Sequence, residues 1–314
     1  MSGDISIIIP CYNQTDLLKR NLGYLEKQSY KNFNILLLDD ASTEDYQKLI
    51  PQFSNLNISY ARNEKNIGAI KNIFNSISYK TNTLYKLSLH EDDILHKDYL
   101  KKAKEILNND KDVIFVATIA DWFKTDKELS NKFNKAKNID NVAILNKVDF
   151  IREIIDGKHI TFGSIVYRNS YLDEEPDFKQ YGVLCDRPFL ISLIKDKKVA
   201  LIKNKAIFVR DHGEKDNRFS TVTEEHCLNL MNFYKKNLPN PNSGDMKKLL
   251  FFSTNNLIGA YSGLTNKQMS LYQFIKKGKS LGIINLSYVR LIGLAGLVKL
   301  FLGKKVFNIM MRFK

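Results

Sequence analysis

The chain has 314 residues, which is enough for two domains or for one large domain with an appendage. Its hydrophobic fraction of 44% and charged fraction of 26% exclude a disordered chain, and its 15 glycines and six prolines exclude a collagen-like repeat. The formal net charge is +14, but the segment after Asp245 has 12 basic residues and no acidic residue, so the preceding part is nearly neutral.

Strand and helix patterns alternate over the first 120 residues. Apolar runs predict strands at Ile5–Pro10, which is rich in β-branched residues, and at Phe33–Leu38. Further strands are predicted at Leu84–Leu89 and Val113–Thr118, and a less apolar run predicts one at Asn57–Ala61. Apolar residues at helical spacing predict helices at Gln14–Lys27, from about Glu44, at Ile67–Ser78 and at Lys97–Leu107. This alternation indicates βαβ units and a mostly parallel sheet that is covered by helices on both faces.

The pattern beyond residue 120 is less regular. Lys124–Asn141 is polar and charged, which predicts an exposed loop. Further predicted elements are helices at Lys147–Ile155 and Val183–Lys195 and strands at His159–Tyr167, Val199–Lys203 and Ala206–Arg210. The residues after Asp216 are helical in pattern and poor in acidic side chains.

Polar clusters stand at the ends of three predicted strands. They are Pro10-Cys11-Tyr12-Asn13, Asp39-Asp40-Ala41-Ser42 and Glu91-Asp92-Asp93. Ligands of such sheets bind beyond the carboxyl ends of the strands, so we expect these clusters to form one site. Acidic residues suit a bound phosphate only where a divalent cation lies between them.

Four motifs in this order resemble those of the family 2 glycosyltransferases, which have the GT-A fold. The motifs are the opening strand Ser6–Asn13, the second strand end Asp39–Thr43, the turn Asn63–Gly68 and the segment Leu89–Asp93, which stands where the family has its D-x-D metal motif. The resemblance covers about Asp4 to His212. It implies a metal-dependent inverting transferase that moves a sugar from a nucleotide-diphosphate donor, of the uridine type, to a hydroxyl of a saccharide or lipid-linked acceptor.

The resemblance also implies a Mn²⁺ or Mg²⁺ ion on the donor diphosphate, since these cations prefer carboxylate oxygens. Asp92 is the expected first ligand, with Asp93 and His212 as further metal candidates. His90 replaces the family's usual first aspartate, so that Glu91 or a water molecule would complete the ligand set. The alternative interpretation is a solvated acidic turn before the helix from about Lys97.

The nucleotide-binding residues that the resemblance implies are Pro10, Tyr12, Asn13, Asp40, Asn66, Gly68, Lys71, Glu91 and Asp92. Asp40 would accept a hydrogen bond from the base; as an alternative, it satisfies the backbone of its own turn. Lys71 would reach the diphosphate or remain solvated. Tyr12 would pack on the base or ribose, or in the core.

Asp186 is the catalytic residue that the resemblance implies. It would take the proton from the acceptor hydroxyl during attack on the anomeric carbon. The family pattern there is Glu-Asp, whereas this chain has Cys185-Asp186, and a helix-capping aspartate is the alternative. Arg187, Arg210 and His159 are the candidates for contact with the acceptor or the diphosphate.

The C-terminal segment Leu281–Leu302 is mostly apolar, but charges at Arg290 and Lys299 make a membrane span costly. We expect a helix that lies on an anionic membrane surface, or one that packs on the domain or on a second copy of the chain. The cysteines, Cys11, Cys185 and Cys227, are widely spaced and predict no disulfide framework or zinc ribbon. With no signal-peptide pattern, a cytoplasmic location is expected, with peripheral attachment to the inner face of the cell membrane.

The sequence therefore predicts an α/β GT-A domain over residues 1–216 and a helical, basic extension over residues 217–314. Its sheet is expected to be mixed and mostly parallel. The absence of a recognisable nucleic-acid-binding module argues against a nucleic-acid partner. Two alternatives from other classes are a sugar-nucleotide-binding protein without transfer activity and a membrane-surface interaction protein.

Overall fold

A computed structural model describes residues 3–172, 175–212, 221–242, 244–250 and 252–253. The chain divides into two compact units. The first unit contains the residues up to Phe150, together with His159–Glu175 and Ile191–His212. The second contains Ile151–Lys158, Pro176–Leu190 and the described residues beyond His212. The domain boundary between residues 216 and 217 falls outside the described residues and stays a prediction.

The described residues of the first unit form a mixed, nine-stranded sheet. Its strands are β1 (Ile5–Cys11), β2 (Phe33–Asp39), β3 (Asn57–Arg62), β4 (Tyr85–Ser88), β5 (Ile94–Leu95), β6 (Val113–Phe123), β7 (Val142–Leu145), β8 (Val166–Arg168) and β9 (Lys198–Arg210). The order is β3-β2-β1-β4-β8-β6-β9-β5, with β7 paired to β9. The first four strands are parallel, and β8 runs antiparallel between β4 and β6. The predicted α/β class is confirmed.

The helices are α1 (Thr15–Leu25), α2 (Ala69–Ser78), α3 (Tyr99–Asn109), α4 (Asp126–Lys135), α5 (Lys147–Ile155), α6 (Phe178–Tyr181), α7 (Asp186–Ile194) and α8 (Glu224–Asn237). Every residue of β1 is buried, which explains its continuous apolar pattern. The parallel register sets Cys11 opposite Asp39, so that β1 and β2 end side by side. The loops that carry the predicted motifs therefore begin at one edge of the sheet.

The prediction of an exposed loop at Lys124–Asn141 is wrong, because α4 occupies most of that segment. Leu129 and Phe133 lie one helical turn apart and are buried in a small cluster with Phe208. The Thr125 hydroxyl accepts a hydrogen bond from the Glu128 backbone N–H at 3.2 Å and so begins the helix. Two buried side chains and one cap stabilise a helix whose other positions are polar.

The strand predicted at His159–Tyr167 is also interrupted. An isolated bridge at Ile160 and a 3-10 turn at Phe162–Ser164 precede β8. At Gly163 a Cβ atom would lie 3.4 Å from both the Asp93 carboxylate and the His90 ring. That distance is an ordinary van der Waals contact, so the backbone of this turn passes beside both side chains.

No helix in the described part of the chain is both long and apolar enough to cross a bilayer. The segment Leu281–Leu302 lies outside the described residues, so its membrane-surface helix stays a prediction.

Candidate active site

The carboxylate of Asp40 organises the turn that precedes α2. Its Oδ1 accepts hydrogen bonds from Asn63 Nδ2 and from the Ile67 backbone N–H, both at 2.9 Å. Its Oδ2 accepts one from the Gly68 backbone N–H at 2.9 Å, and Asn66 Nδ2 donates to the Asp40 carbonyl at 3.3 Å. Gly68 has a φ of 91°, which favours glycine. The predicted residues Asn66 and Gly68 thus lie in one turn at the N-terminus of α2, and Asp40 binds that turn from the end of β2.

Asn13 joins the end of β1 to the loop that follows β2. Its backbone N–H donates to Ser42 Oγ at 3.1 Å, and its Oδ1 accepts from the backbone N–H of Thr43 at 2.8 Å. Tyr12, beside it, is exposed, whereas Pro10 is buried within β1. The side chain of Asn13 holds the two loops together and leaves the Tyr12 ring open to a ligand.

Glu91 lies buried beneath these loops. Its Oε1 accepts from the Tyr12 backbone N–H at 3.3 Å, and its Oε2 accepts from the Tyr46 hydroxyl at 3.1 Å. The same hydroxyl accepts from the Gln14 backbone N–H at 2.8 Å. Burial raises the pKa of Glu91 to about 8. Glu91 therefore ties the loop after β4 to the end of β1.

His90, Asp92 and Asp93, here called the ligand cluster, follow β4. Each offers one ligand atom, and these atoms lie within 4.8 Å of one another. His90 Nδ1 is 3.4 Å from Asp93 Oδ2, and His212 Nε2 is 2.5 Å from Asp92 Oδ2. The structure thus brings together the predicted metal residues Asp92, Asp93 and His212, and it adds the imidazole of His90.

The pKa values of the two carboxylates in the ligand cluster shift in opposite directions. Burial and the charge of Asp92 raise the pKa of Asp93 above its usual value. Burial acts upward on Asp92 as well, but the hydrogen bond with His212 and the charge of His90 lower its pKa. A divalent cation would stabilise the ionised form of both groups. The two carboxylates are donors that fit Mn²⁺ or Mg²⁺, and imidazole nitrogens beside them favour Mn²⁺, because Mg²⁺ prefers oxygen ligands.

Two side chains of α1 shape the turn that carries the ligand cluster. Asn21 Nδ2 donates to the carbonyls of His90 at 3.1 Å and Asp93 at 2.6 Å. Arg20 Nη2 donates to the Asp92 carbonyl at 3.1 Å. The sequence motifs do not predict that Asn21 and Arg20 bind this turn. The available signal is that Asn21 is a polar residue on the apolar face of a predicted helix.

The end of β9 contacts the ligand cluster through its backbone. The Arg210 backbone N–H acts on the Asp93 carboxylate and lowers its pKa, against the larger upward effect of burial. Arg210 is paired with Phe123 of β6, and the Asp211 backbone N–H donates to the Phe123 carbonyl at 2.8 Å. The short segment after β9 therefore leads directly to His212.

Four further predicted residues lie outside the ligand cluster. Lys71 is exposed in the first turn of α2, and His159 stacks on Trp122, a residue that no motif indicates. Asp186 begins α7 in the second unit, where its Oδ1 accepts from the Arg187 backbone N–H at 2.8 Å. The Arg187 guanidinium lies 4.8 Å from the centre of the Phe252 ring. The catalytic role of Asp186 stays a prediction.

Solved structures share this fold at low sequence identity. TarS of S. aureus, in complex with UDP-GlcNAc, has a TM-score of 0.57 and 16% identity, over 88% of this chain and 80% of that chain. The mannosyltransferase PcManGT of Pyrobaculum calidifontis, in complex with GDP-Man and Mn²⁺, has a TM-score of 0.51 and 13% identity, over 95% of this chain and 86% of that chain.

Two curated relatives match shorter regions. The amylovoran biosynthesis glycosyltransferase AmsB of Erwinia amylovora is 33% identical over 102 residues, and the glycosyltransferase GlyG of Streptococcus pneumoniae is 24% identical over 136 residues. These matches cover 31% and 42% of this chain, and only 33% of AmsB and 43% of GlyG. The family model for glycosyl transferase family 2 matches residues 6–175, which is more than half of the chain. The chain therefore belongs to glycosyl transferase family 2.

Proposed function

We propose that the chain transfers a sugar from a uridine-type nucleotide-diphosphate donor to a hydroxyl of a saccharide or lipid-linked acceptor, with inversion and with bound Mn²⁺ or Mg²⁺. The observation that carries the proposal is the ligand cluster after β4, in a chain of this family. The complexes of TarS with UDP-GlcNAc and of PcManGT with GDP-Man and Mn²⁺ support the classes of donor and cation. The name of AmsB, in amylovoran biosynthesis, supports a saccharide product.

The cation would be held by Asp92 and Asp93, with His90 and His212 as nitrogen donors. When bound, it neutralises the charge that develops on the diphosphate leaving group. Asn21 and Arg20 fix the backbone of the turn, so that the carboxylates are oriented before the cation arrives. This pre-ordering supports a binding role for the cluster over a solvated acidic turn.

The nucleotide would lie over the ends of β1 and β2, with Tyr12 against the base or ribose. An ionised carboxylate has about four acceptor positions, and Asp40 uses three of them. One position on Oδ2 is therefore not used by these three donors, and the ring N–H of a uracil would take it, which requires the turn to open because Asp40 is buried. The exposed Lys71 and the N-terminus of α2 add positive potential for the diphosphate. Pro10, Asn13 and Glu91 would hold the loops of this subsite in position and would not contact the nucleotide through their side chains.

The acceptor hydroxyl would lose its proton to Asp186 as its oxygen attacks the anomeric carbon opposite the leaving diphosphate. The support is the position of Asp186 at the start of α7, together with the resemblance of Cys185-Asp186 to the family motif. Arg187 follows it in the chain and would balance charge on the acceptor or the diphosphate. Burial raises the pKa of Cys185 to about 12, which disfavours a thiolate nucleophile.

The experiment measures nucleoside diphosphate release from a panel of UDP-, GDP- and dTDP-sugars with Mn²⁺, before and after EDTA. We expect release with at least one donor, its loss in EDTA, and a strong decrease in Asp92→Ala and Asp186→Asn. Asp140→Ala is the matched control, because Asp140 is an exposed carboxylate paired with Lys102 outside the cluster. Wild-type rates in both active-site variants, or donor binding without any turnover, would contradict the proposal.

A further inference from the structure

Trp122, the one tryptophan in the sequence, has an exposed ring at the end of β6. Its exposed fraction is 38%. The ring stacks on the imidazole of His159, with centroids 4.8 Å apart and planes 7° from parallel. The two rings, here called the aromatic platform, have no part in the core.

Hydrogen-bonded backbone holds both residues of the aromatic platform. The Ala120 backbone N–H donates to the His159 carbonyl at 3.0 Å. Trp122 is paired with Val209 of β9, and Lys132 Nζ donates to the Trp122 carbonyl at 2.5 Å. Strands and a helix therefore fix the backbone of both residues, and the stack keeps the two rings together, which lowers the entropic cost of binding a ligand there.

The aromatic platform lies close to the ligand cluster along the chain. His159 is four residues before Gly163, and a Cβ atom at Gly163 would lie 3.4 Å from both the His90 ring and the Asp93 carboxylate. An extended chain covers at most about 3.6 Å per residue, so His159 is within about 14 Å of Gly163. A short oligosaccharide spans that distance.

The order of the strands sets the aromatic platform opposite the nucleotide subsite. The turn of Asp40 and the Tyr12 loop follow β2 and β1, on one side of β4. Trp122 belongs to β6, and His159 precedes β8, both on the other side of β4. In an inverting displacement the acceptor attacks from the side opposite the diphosphate, so this is the side on which an acceptor would lie.

We propose that Trp122 and His159 bind a pyranose ring of the acceptor saccharide. A pyranose has one face of C–H groups, and the negative face of an aromatic ring attracts them. This inference rests on the proposed transfer to a saccharide, and it names the residues that determine acceptor specificity.

Binding is tested with the full chain by its tryptophan emission, which comes from Trp122 alone. The probes are methyl β-D-glucopyranoside, methyl β-D-galactopyranoside and methyl N-acetyl-β-D-glucosaminide, and glycerol is the control that has hydroxyls but no ring. We expect at least one glycoside to shift the emission saturably and to protect it from acrylamide quenching. An emission spectrum that none of the three glycosides changes would overturn the proposal.

The same glycosides serve as acceptors in kinetic assays. For Trp122→Leu we expect the KM for the glycoside to rise roughly tenfold with kcat within about twofold, as for a contact made equally before and during reaction. Trp122→Phe keeps an aromatic ring and should restore KM to within about threefold of wild type. A wild-type KM in Trp122→Leu, or no rescue by Trp122→Phe, would show that the platform does not bind the acceptor.

The matched control is Tyr79→Leu. Tyr79 is 39% exposed and follows the last residue of α2 in the same unit, so it tests the loss of an exposed aromatic ring away from the platform. We expect wild-type KM and kcat in this variant. A rise in KM equal to that of Trp122→Leu would contradict a specific platform.

Nucleoside diphosphate release without acceptor separates this inference from the proposed function. If Trp122→Leu keeps that release and has a raised glycoside KM, both are supported. If the wild type binds a glycoside through Trp122 but releases no nucleoside diphosphate from any donor, the platform is supported and the proposed function is contradicted. Calorimetric titration of Trp122→Leu with the glycoside supplies the binding control, and retained affinity there would contradict the platform.

Discussion

Asp40→Asn tests whether the Asp40 carboxylate stabilises the turn before α2. The substitution replaces one accepting oxygen with an NH₂ group. With Oδ1 still accepting from Asn63 and Ile67, that group would face the Gly68 backbone N–H, a second donor. A hydrogen bond to a charged group contributes about 1.5–3 kcal/mol, and an unpaired buried N–H costs about 1–3 kcal/mol. We therefore expect the free energy of unfolding to fall by about 2–4 kcal/mol.

The assay is urea denaturation, combined with amide hydrogen exchange at Ile67 and Gly68. Both amides should exchange faster in Asp40→Asn than in wild type, because they lose a charged acceptor. Asp140→Asn, on an exposed ion pair with Lys102, is the control and should cost less than about 1 kcal/mol. An Asp40→Asn variant with wild-type stability, protected amides and weakened UDP binding would refute the role in the turn and leave Asp40 as a ligand contact alone.

Two buried polar residues give the remaining predictions. Asn21→Leu removes the donor to the carbonyls of His90 and Asp93. We expect the free energy of unfolding in urea to fall by about 1–3 kcal/mol and Mn²⁺ binding, measured by calorimetry, to weaken. An unchanged Mn²⁺ affinity would contradict the positioning role of Asn21. Lys86 donates to two carbonyls at the C-terminus of α2, and Lys86→Met should cost about 1–3 kcal/mol by leaving them unpaired. Burial lowers the pKa of Lys86 to about 8, below its value in the unfolded chain, so the unfolded state binds more protons above pH 8. The free energy of unfolding of the wild type, relative to that of Lys86→Met, should therefore rise from about pH 8 to about pH 10. If that difference in free energy does not change with pH, the lowered pKa is refuted.

The sheet edge that carries the site follows from the sequence pattern, because β1, β2 and β4 are buried strands that end in polar residues. Helix α4 does not follow from it, since its burial depends on Leu129 and Phe133 meeting Phe208, which is 75 residues away along the chain. Tertiary packing here outweighs a local composition that is typical of a loop.

Residue type alone predicts only part of what the carboxylates at the strand ends do. A carboxylate after a strand accepts hydrogen bonds from a ligand or from backbone, and the sequence does not distinguish them. The Asp40 carboxylate accepts hydrogen bonds from the backbone, and Glu91 accepts them from the backbone and from a tyrosine. In contrast, Asp92, Asp93 and His90 each offer one ligand atom, and these atoms lie within 4.8 Å of one another. The stacked pair that forms the aromatic platform is equally hidden, because its two residues are far apart in the chain.

The central claim is that the ligand cluster binds a divalent cation on the donor diphosphate. A crystal structure of the chain with UDP and Mn²⁺, with anomalous data at the manganese edge, tests it most directly. We predict an anomalous peak within coordination distance of the Asp92 carboxylate and of a diphosphate oxygen, with Asp93, His90 or His212 completing the ligand set. Bound UDP with no manganese peak at Asp92, or with manganese held elsewhere, would contradict the account.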